Sequence, residues 1–451
     1  MFGEMPLFLE EYLSIFMVVA LFIALLLGYP VAFTLGGVAL YFGLVGFGLD
    51  FFNLLPLRVW GIMTNFTLLA VPLFVFMGVL LERSGLAEDL LETMALLFGR
   101  MRGGMAVSVV IVGALLAAST GIVGATVVTM GLLALPTMLK RNYSPELATG
   151  VISSSGTLGQ IIPPSIILVL LGDIMNISVG DLFLAAVVPG LTLVTLYIIW
   201  IMFIAFIRPE YAPAIPEDER ASMSPKDLTL RVIKALLPPA ALIIAVLGSI
   251  FMGIASPTES AAMGSVGALI LTIANKRFSL KTLIEAMRST TRLTCMIFII
   301  FIGATTFGLV FRGLGGDELI REFMTDTPFG AHGALFMVMA VLFILGFFLD
   351  FIEITFIVIP IISPIMTDLG FDPIWFAILV AMNLQTSFLT PPFGFSLFYL
   401  KGVAPKTITT GHLYRGIIPF VVIQIITLIA LIVFPKLATW LPDLARARMF
   451  G

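Results

Sequence analysis

Ser153-Ser154-Ser155-Gly156-Thr157-Leu158-Gly159-Gln160-Ile161-Ile162-Pro163-Pro164-Ser165 is the stretch on which the reading of the chain turns. It sits inside an apolar run over about 146–172, long enough for the ~20 residues that a membrane crossing needs. Spanning helices are normally unbroken, because lipid cannot satisfy free backbone N–H and C=O groups. Paired prolines remove two N–H donors and free the carbonyls one turn earlier. Freed carbonyls beside Ser and Thr hydroxyls make a dehydrated oxygen cage suited to Na⁺, and exposed N–H groups suit a carboxylate. A second stretch of this kind is Asn383-Leu384-Gln385-Thr386-Ser387-Phe388-Leu389-Thr390-Pro391-Pro392-Phe393-Gly394. For either alone, a kink that only shapes the helix is a competing reading.

The two stretches are related by a fixed offset. Pro136, Pro145, Pro163 and Pro164 recur as Pro364, Pro373, Pro391 and Pro392, each 228 positions on, in a chain with 26 prolines. Internal repeats of this kind mark secondary-transporter folds. The repeats read as 1–207 and 234–435, joined by a Pro- and charge-rich segment at 208–233 that reads as a solvated cytoplasmic linker, with a tail at 436–451. In the first repeat, spans fall near 12–28, 30–48, 67–83, 146–172 and 182–207. Scaffold helices are expected over about 1–62, a transport unit over about 63–175, and a scaffold-side helix at 182–207. The segment 104–140 is two apolar halves meeting at Ser119-Thr120-Gly121, each short for a ~30 Å core, which predicts a re-entrant helical hairpin. The second repeat predicts spans near 235–252, 258–274, 293–311, 374–400 and 415–435, with a hairpin at 331–368 turning at Leu349-Asp350.

Five crossings per repeat is odd, so the second repeat is inverted. With the N-terminus outside, six of the 24 basic residues lie outside: Arg58, Arg312, Arg321, Lys436, Arg446 and Arg448. The remaining eighteen lie on the cytoplasmic side, as the positive-inside rule requires. The first hairpin then opens from the cytoplasm and the second from outside. The expected fold is an all-α polytopic membrane protein of two inverted-topology repeats, each with a re-entrant hairpin and a broken transmembrane helix.

Composition agrees. The 451 residues are 60% hydrophobic and 11% charged, against roughly 25% charged in soluble domains. A soluble enzyme, a nucleic-acid binder and a disulfide scaffold are excluded. One cysteine (Cys295) and two histidines (His332, His412) argue against a transition-metal site, and no P-loop sequence occurs. The first apolar run follows Glu4, Glu10 and Glu11 and passes into Gly28-Tyr29-Pro30, which does not read as a cleaved signal peptide.

The hairpin tips supply the opposing wall of the site: Ser119-Thr120-Gly121-Ile122-Val123-Gly124-Ala125-Thr126 in the first, and Asp350 and Glu353 among phenylalanines in the second. A carboxylate at mid-membrane costs ~3 kcal/mol or more and is a functional candidate for that reason. Asp350 is suited to ligating Na⁺, carrying a proton or hydrogen-bonding substrate. The competing reading is that the tip reaches water and both acids are ordinary tip residues. Pro257-Thr258-Glu259 opens a span and reads as a helix cap, so Glu259 is expected to be structural. Leu86 to Gly99 and Gly316 to Met324 read as interfacial helices before each hairpin.

Thr157-Leu158-Gly159-Gln160-Ile161-Ile162-Pro163-Pro164-Ser165, the P-T-E-S-A-A stretch at 257–262, T-P-P-F-G at 390–394, Gly346-x-x-x-Asp350 and Phe371-Asp372-Pro373 together resemble the large membrane subunit (DctM type) of tripartite ATP-independent periplasmic, or TRAP, transporters. The resemblance covers nearly the whole chain. It implies residence in a bacterial inner membrane and two partners, a small four-helix membrane subunit and a soluble periplasmic binding protein that delivers an organic acid. It also implies Na⁺-driven import by an elevator motion and no enzymatic activity. Carried over position by position, substrate would lie among Ser119, Thr120, Ser165 and Asp350. Na⁺ would be held by Gly121, Gly124, Ser155 and Gly156 at one site and by Thr355, Asn383, Thr390 and Pro391 at the other. The first tip departs from the family by carrying Ile122 and Val123 where serines are frequent. That implies a smaller or more apolar carboxylate, such as a keto acid or an aromatic acid.

An autonomous Na⁺/carboxylate symporter needing no binding protein suits the same residues; the family motifs favour the tripartite reading. An intramembrane enzyme is disfavoured by the absence of H-E-x-x-H, paired-aspartate or Ser/His patterns. The polar broken helices favour a binding site over a bare channel.

Overall fold

Apolar runs that lipid would surround must close their backbone hydrogen bonds locally, and the chain does so as helix throughout. The computed structural model describes residues 12–216, 225–325 and 330–450, and contains no strand among them. In the first repeat the helices are α1 (Leu13–Leu26), α2 (Val31–Phe47), α3 (Leu55–Met63), α4 (Ala70–Arg83), α5 (Leu86–Phe98), α6 (Gly104–Thr120), α7 (Val123–Lys140), α8 (Pro145–Thr157), α9 (Ile166–Ile174) and α10 (Val179–Ile207). In the second they are α11 (Pro225–Phe251), α12 (Pro257–Ala274), α13 (Leu280–Gly313), α14 (Gly316–Thr325), α15 (Gly330–Leu345), α16 (Phe351–Ile357), α17 (Ile359–Asp368), α18 (Pro373–Leu389), α19 (Phe395–Val403), α20 (Thr410–Val433) and α21 (Lys436–Phe450).

The element order repeats as the prolines predict. A short amphipathic helix (α5, α14) precedes each hairpin. The hairpins are α6–α7 and α15 to α17, and the broken helices are α8–α9 and α18–α19. Both broken helices begin on the same local device: Ser144 and Asp372, 228 positions apart, cap α8 and α18 by accepting from the Leu147 and Trp375 amides, each with proline at the first helical position. Among the described residues, six helices are long and apolar enough to cross a membrane, or eight if each of two bent pairs counts as one span. Of the other expected crossings, 146–172 and 374–400 are interrupted by the breaks, while 12–28 and 258–274 are the continuous helices α1 and α12, which fall outside this set.

Packing divides the helices into two groups. In one, α4 lies against α12 and α13, α13 against α2, and α11 against α12. In the other, the hairpin α6–α7 packs on α8, α8 on α20, α7 on α19, and α15 on α18. Contacts of α4 with α6 and α9 and of α13 with α16 join the groups.

Several boundaries differ from the sequence reading. The segment 208–233 is not a solvated linker over its whole length. Ala212 and Ile215 are buried, with backbone bonds from Gly103 N–H to the Ala212 carbonyl and from Ile215 N–H to the Gly99 carbonyl, and α11 already starts at Pro225. Ala212 and Ile215 are apolar and find a core surface beside α5, which outweighs the polar composition around them. The tail 436–451 is helical to Phe450, packs on α10 and joins it through an Arg446–Asp181 ion pair at 2.6 Å. The expected scaffold segment 1–62 begins among residues outside those described and ends in an extra short helix, α3. Finally, α7 has 18 residues and meets the length of a crossing, although its connection to α6 is a two-residue turn at Gly121 and Ile122.

Glu259 has the structural role expected of it. Ser256 accepts from the Glu259 amide at 3.3 Å while the Glu259 carboxylate accepts from the Ser256 amide at 2.7 Å, a reciprocal cap at the start of α12. Glu259→Ala is expected to lower the melting temperature slightly and leave transport per folded molecule unchanged. Normal thermal stability with lost transport would contradict the structural role.

Candidate functional site

The site is built where two breaks and two tips meet. In the first break, α8 passes into a 3-10 turn over Leu158–Gln160, the chain extends through Ile161–Ser165, and α9 resumes at Ile166. In the second, α18 ends at Leu389 and α19 resumes at Phe395. Pro163–Pro164 and Pro391–Pro392 are both cis. The broken helices cross one another: the Ser396 hydroxyl on α19 donates to the Ser153 carbonyl on α8 at 3.0 Å. The Gln385 amide donates to the Thr157 hydroxyl at 3.5 Å, and these two residues are themselves 228 positions apart.

The first tip sits on the first break. Gly121 has φ +60, and a Cβ there would lie 3.1 Å from Ile166 and 3.3 Å from its backbone nitrogen, so the tip rests against the residue after Ser165. Glycine is needed here both for the positive φ and for the approach. A Cβ on Gly124 would meet the Tyr399 ring of α19 at 3.1 Å, so the same tip also reaches the second broken helix. Thr120 and Thr126 share a hydroxyl hydrogen bond of 2.9 Å across the turn. Ser165 is fully buried and donates to the Gln160 carbonyl at 2.8 Å. The Ser119 side chain lies outside the described residues.

Ser155 packs against Gly113 of one hairpin arm, and Gly156 against Val127, the residue that follows the tip. A Cβ on Gly113 of α6 would fall 2.6 Å from Ser155 Cβ, and one on Gly156 would fall 2.2 Å from a Val127 methyl of α7. Of the expected first Na⁺ set, Gly121 and Gly124 lie at Ile166 and Tyr399, while Ser155 and Gly156 face Gly113 of α6 and Val127 of α7.

At the second tip, Asp350 and Glu353 form a reciprocal cap on α16. Asp350 accepts from the Phe351 amide at 2.7 Å, and Glu353 accepts from the Asp350 amide at 3.0 Å. The Asp-x-x-Glu spacing carried this signal, and the sequence reading took it only as buried charge. Both carboxylates lie in electrostatic range of the Tyr399 hydroxyl. Tyr399 thus packs on the first tip within electrostatic range of the second tip's acids, and no local sequence pattern identifies it. The arm α15 is locked to α18: the Asn383 amide donates to the Met339 carbonyl at 2.8 Å, and a Cβ on Gly346 would lie 2.0 Å from the Ser387 hydroxyl.

The hydroxyls around both breaks share one orientation. Ser155 donates to Ile152, Thr157 to Ser154, Thr355 to Phe351 and Thr390 to Thr386, each to a carbonyl about one turn earlier. A hydroxyl that has given its proton to a carbonyl presents only lone pairs outward, the set of ligands a hard cation takes. Pro391, beside Thr390, contributes a carbonyl and no donor.

A helical membrane protein with two broken helices crossing at their polar breaks, each covered by a hairpin tip, is built as a transport permease. The chain belongs to the DctM component family of tripartite ATP-independent periplasmic transporters, which it matches over residues 18–437. It is 30% identical to the C4-dicarboxylate TRAP transporter large permease protein of Pseudomonas aeruginosa, over 88% of this chain and 91% of the relative. It is 29% identical to the sialic acid TRAP transporter large permease protein of Vibrio cholerae, over 92% of this chain and 95% of that one. Its fold is similar to the crystal structure of the Alcanivorax borkumensis YdaH transporter, with a TM-score of 0.61 at 13% identity, covering 95% and 98% of the two chains.

Proposed function

We propose that the chain is the large transmembrane subunit of a Na⁺-driven, binding-protein-dependent importer of organic carboxylates in a bacterial inner membrane, with its N-terminus periplasmic. The observation that carries this reading is the pair of crossed breaks, where Ser155, Thr157 and Thr390 give their protons to backbone carbonyls and keep their lone pairs for other partners. Such an arrangement holds a cation without a carboxylate cage, and the N–H groups that open α9 and α19 suit an anion beside it.

The hairpins and broken helices are the moving unit, and α2, α4, α11, α12 and α13 the fixed one; α4 falls in the stretch 63–175 expected to move, but packs chiefly on α12 and α13. A cavity of about 580 Å³ lies beside the first hairpin, lined among others by Glu82, Arg83, Ile122 and Thr129. Thr129 of α7 donates to Glu82 of α4 at 2.7 Å, and Asn65 donates to Asp173 of α9 at 2.5 Å. These polar contacts between the two units must exchange partners in any sliding motion. Arg83 belongs to the cytoplasmic set of basic residues, so the cavity supports release on that side.

Similar chains are named for substrates as different as C4-dicarboxylates and sialic acid, so the partner set and the substrate are tested directly. The tagged chain is extracted gently from its own membranes, and what co-purifies is identified. A small four-helix subunit in near-equal amount is expected, with Na⁺-dependent carboxylate uptake only when a soluble binding protein is supplied. A chain that comes out alone and drives uptake unaided is the autonomous symporter instead.

A further inference from the structure

Gln160 is a buried polar side chain at the first break that belongs to neither the Na⁺ set nor the substrate set. It is 1% exposed, and neither its amide nitrogen nor its amide oxygen has a hydrogen-bond partner among the described residues. Leaving such a group unpaired costs about 1–3 kcal/mol, and orphaned buried polar atoms are few in native proteins. Its backbone is already committed, since the carbonyl takes the Ser165 hydroxyl. The 3-10 turn that carries it packs on α6, three residues before Thr120 at Ala117, and on α18, whose Gln385 has an unpaired amide oxygen of its own. The turn that carries Gln160 therefore lies within the ring of elements that forms the site, and its amide is buried there.

The charge around it restricts what it can bind. Among the described residues no Lys or Arg is buried; the buried polar side chains are Ser, Thr, Asn and Gln. The acids of this region, Asp350 and Glu353, add negative charge near Tyr399. The co-bound Na⁺ of the proposed function are already faced by one substrate carboxylate and by Asp350, so a dianion would bring a further charge with no side-chain cation to meet it, and uncompensated buried charge is far more costly than a neutral polar group. A neutral amide, with two donors and an acceptor, instead satisfies a hydroxyl or a carbonyl.

We propose that Gln160 is a specificity-determining residue whose side-chain amide hydrogen-bonds a neutral oxygen substituent, hydroxyl or carbonyl, on a monocarboxylate substrate. This rests on the carboxylate reading given under Proposed function. A site built to hydrogen-bond such a group discriminates strongly against the analogue that lacks it, because its own polar atoms are then left unpaired.

The test uses the full chain, with whatever subunit co-purifies, and three probe acids that differ only at one carbon: butyrate, 2-hydroxybutyrate and 2-oxobutyrate, at millimolar concentration with and without Na⁺. Thermal stabilisation is the readout. The wild type is expected to be stabilised in Na⁺ by the two substituted acids at concentrations at least tenfold lower than butyrate requires. Gln160→Met is expected to bring all three acids to the butyrate value. Its melting temperature without acid should equal or exceed that of the wild type, because an unpaired polar group has been removed. A variant that discriminates as the wild type does, or a wild type that treats the three acids alike, overturns the proposal. So does a large drop in the variant's own melting temperature, which assigns Gln160 to structure through bound water. No response of the wild type to any of the acids also overturns this inference, while the carboxylate reading stands or falls on the uptake experiment under Proposed function.

Discussion

Asp350→Asn is expected to fold normally and to lose at least nine-tenths of its Na⁺-driven uptake. Asparagine caps a helix about as well as aspartate, so the bond from the Phe351 amide survives the change. Glu353 still accepts from the backbone amide of residue 350. What disappears is the charge, beside Tyr399 and opposite the first tip. A carboxylate kept at this depth against a cost of ~3 kcal/mol has a use beyond capping, which a neutral side chain also provides. Asp350→Ala should lose transport as well and, in addition, about 1 kcal/mol of stability with the cap. The comparison separates the two roles that the sequence left open. Wild-type uptake by the asparagine variant would reduce Asp350 to a cap and remove it from the transport site. Glu353→Gln, which preserves the other half of the cap, is expected to have the smaller effect on uptake.

The second large effect is on folding. Gly150 of α8 and Gly416 of α20 form a close crossing: a Cβ on Gly150 would fall 2.2 Å from the Gly416 carbonyl oxygen, and one on Gly416 would fall 2.1 Å from the Glu146 carbonyl oxygen. Both obstacles are backbone, so no rotamer change relieves them. In a membrane, where lipid gives helices little hydrophobic reason to associate, small residues that let backbones approach supply much of the packing. Gly416→Ala is expected to cost about 3 kcal/mol by overpacking, and Gly416→Val or Gly150→Val to abolish a monodisperse peak in size-exclusion chromatography. Gly402 of α19, where a Cβ meets nothing within 4 Å, is the control: Gly402→Ala should be neutral or slightly stabilising. Tolerance of valine at Gly416 would mean that α8 and α20 are not in this contact in the membrane.

These predictions differ in how far they could be read from the sequence. Asp350 was prominent as a charge among phenylalanines, and its spacing to Glu353 was a legible cap, as Ser256 and Glu259 were. The need for glycine at 150 and 416 was not legible, since nothing near either position announces a partner more than 260 residues away. Gln160 stood inside the quoted motif, yet only its surroundings show that its amide has no partner. The segment at 208–233 was misjudged because its composition is polar while its few apolar residues, Ala212 and Ile215, find a core to enter.

The sequence by itself determined the membrane class, the repeat at 228 positions, the two breaks and most helix boundaries. Each of these follows from local rules: lipid forces backbone hydrogen bonds to close within a segment, proline prevents that, and hydroxyl or carboxylate side chains cap what is left. The tertiary structure alone decided which tip covers which break, that Tyr399 packs on the first tip within electrostatic range of the second tip's acids, and that Ser155 and Gly156 of α8 pack on residues of the hairpin arms. Those are contacts between distant segments, set by how closely backbones approach and which side chains fill the space between them, and no local pattern encodes that distance.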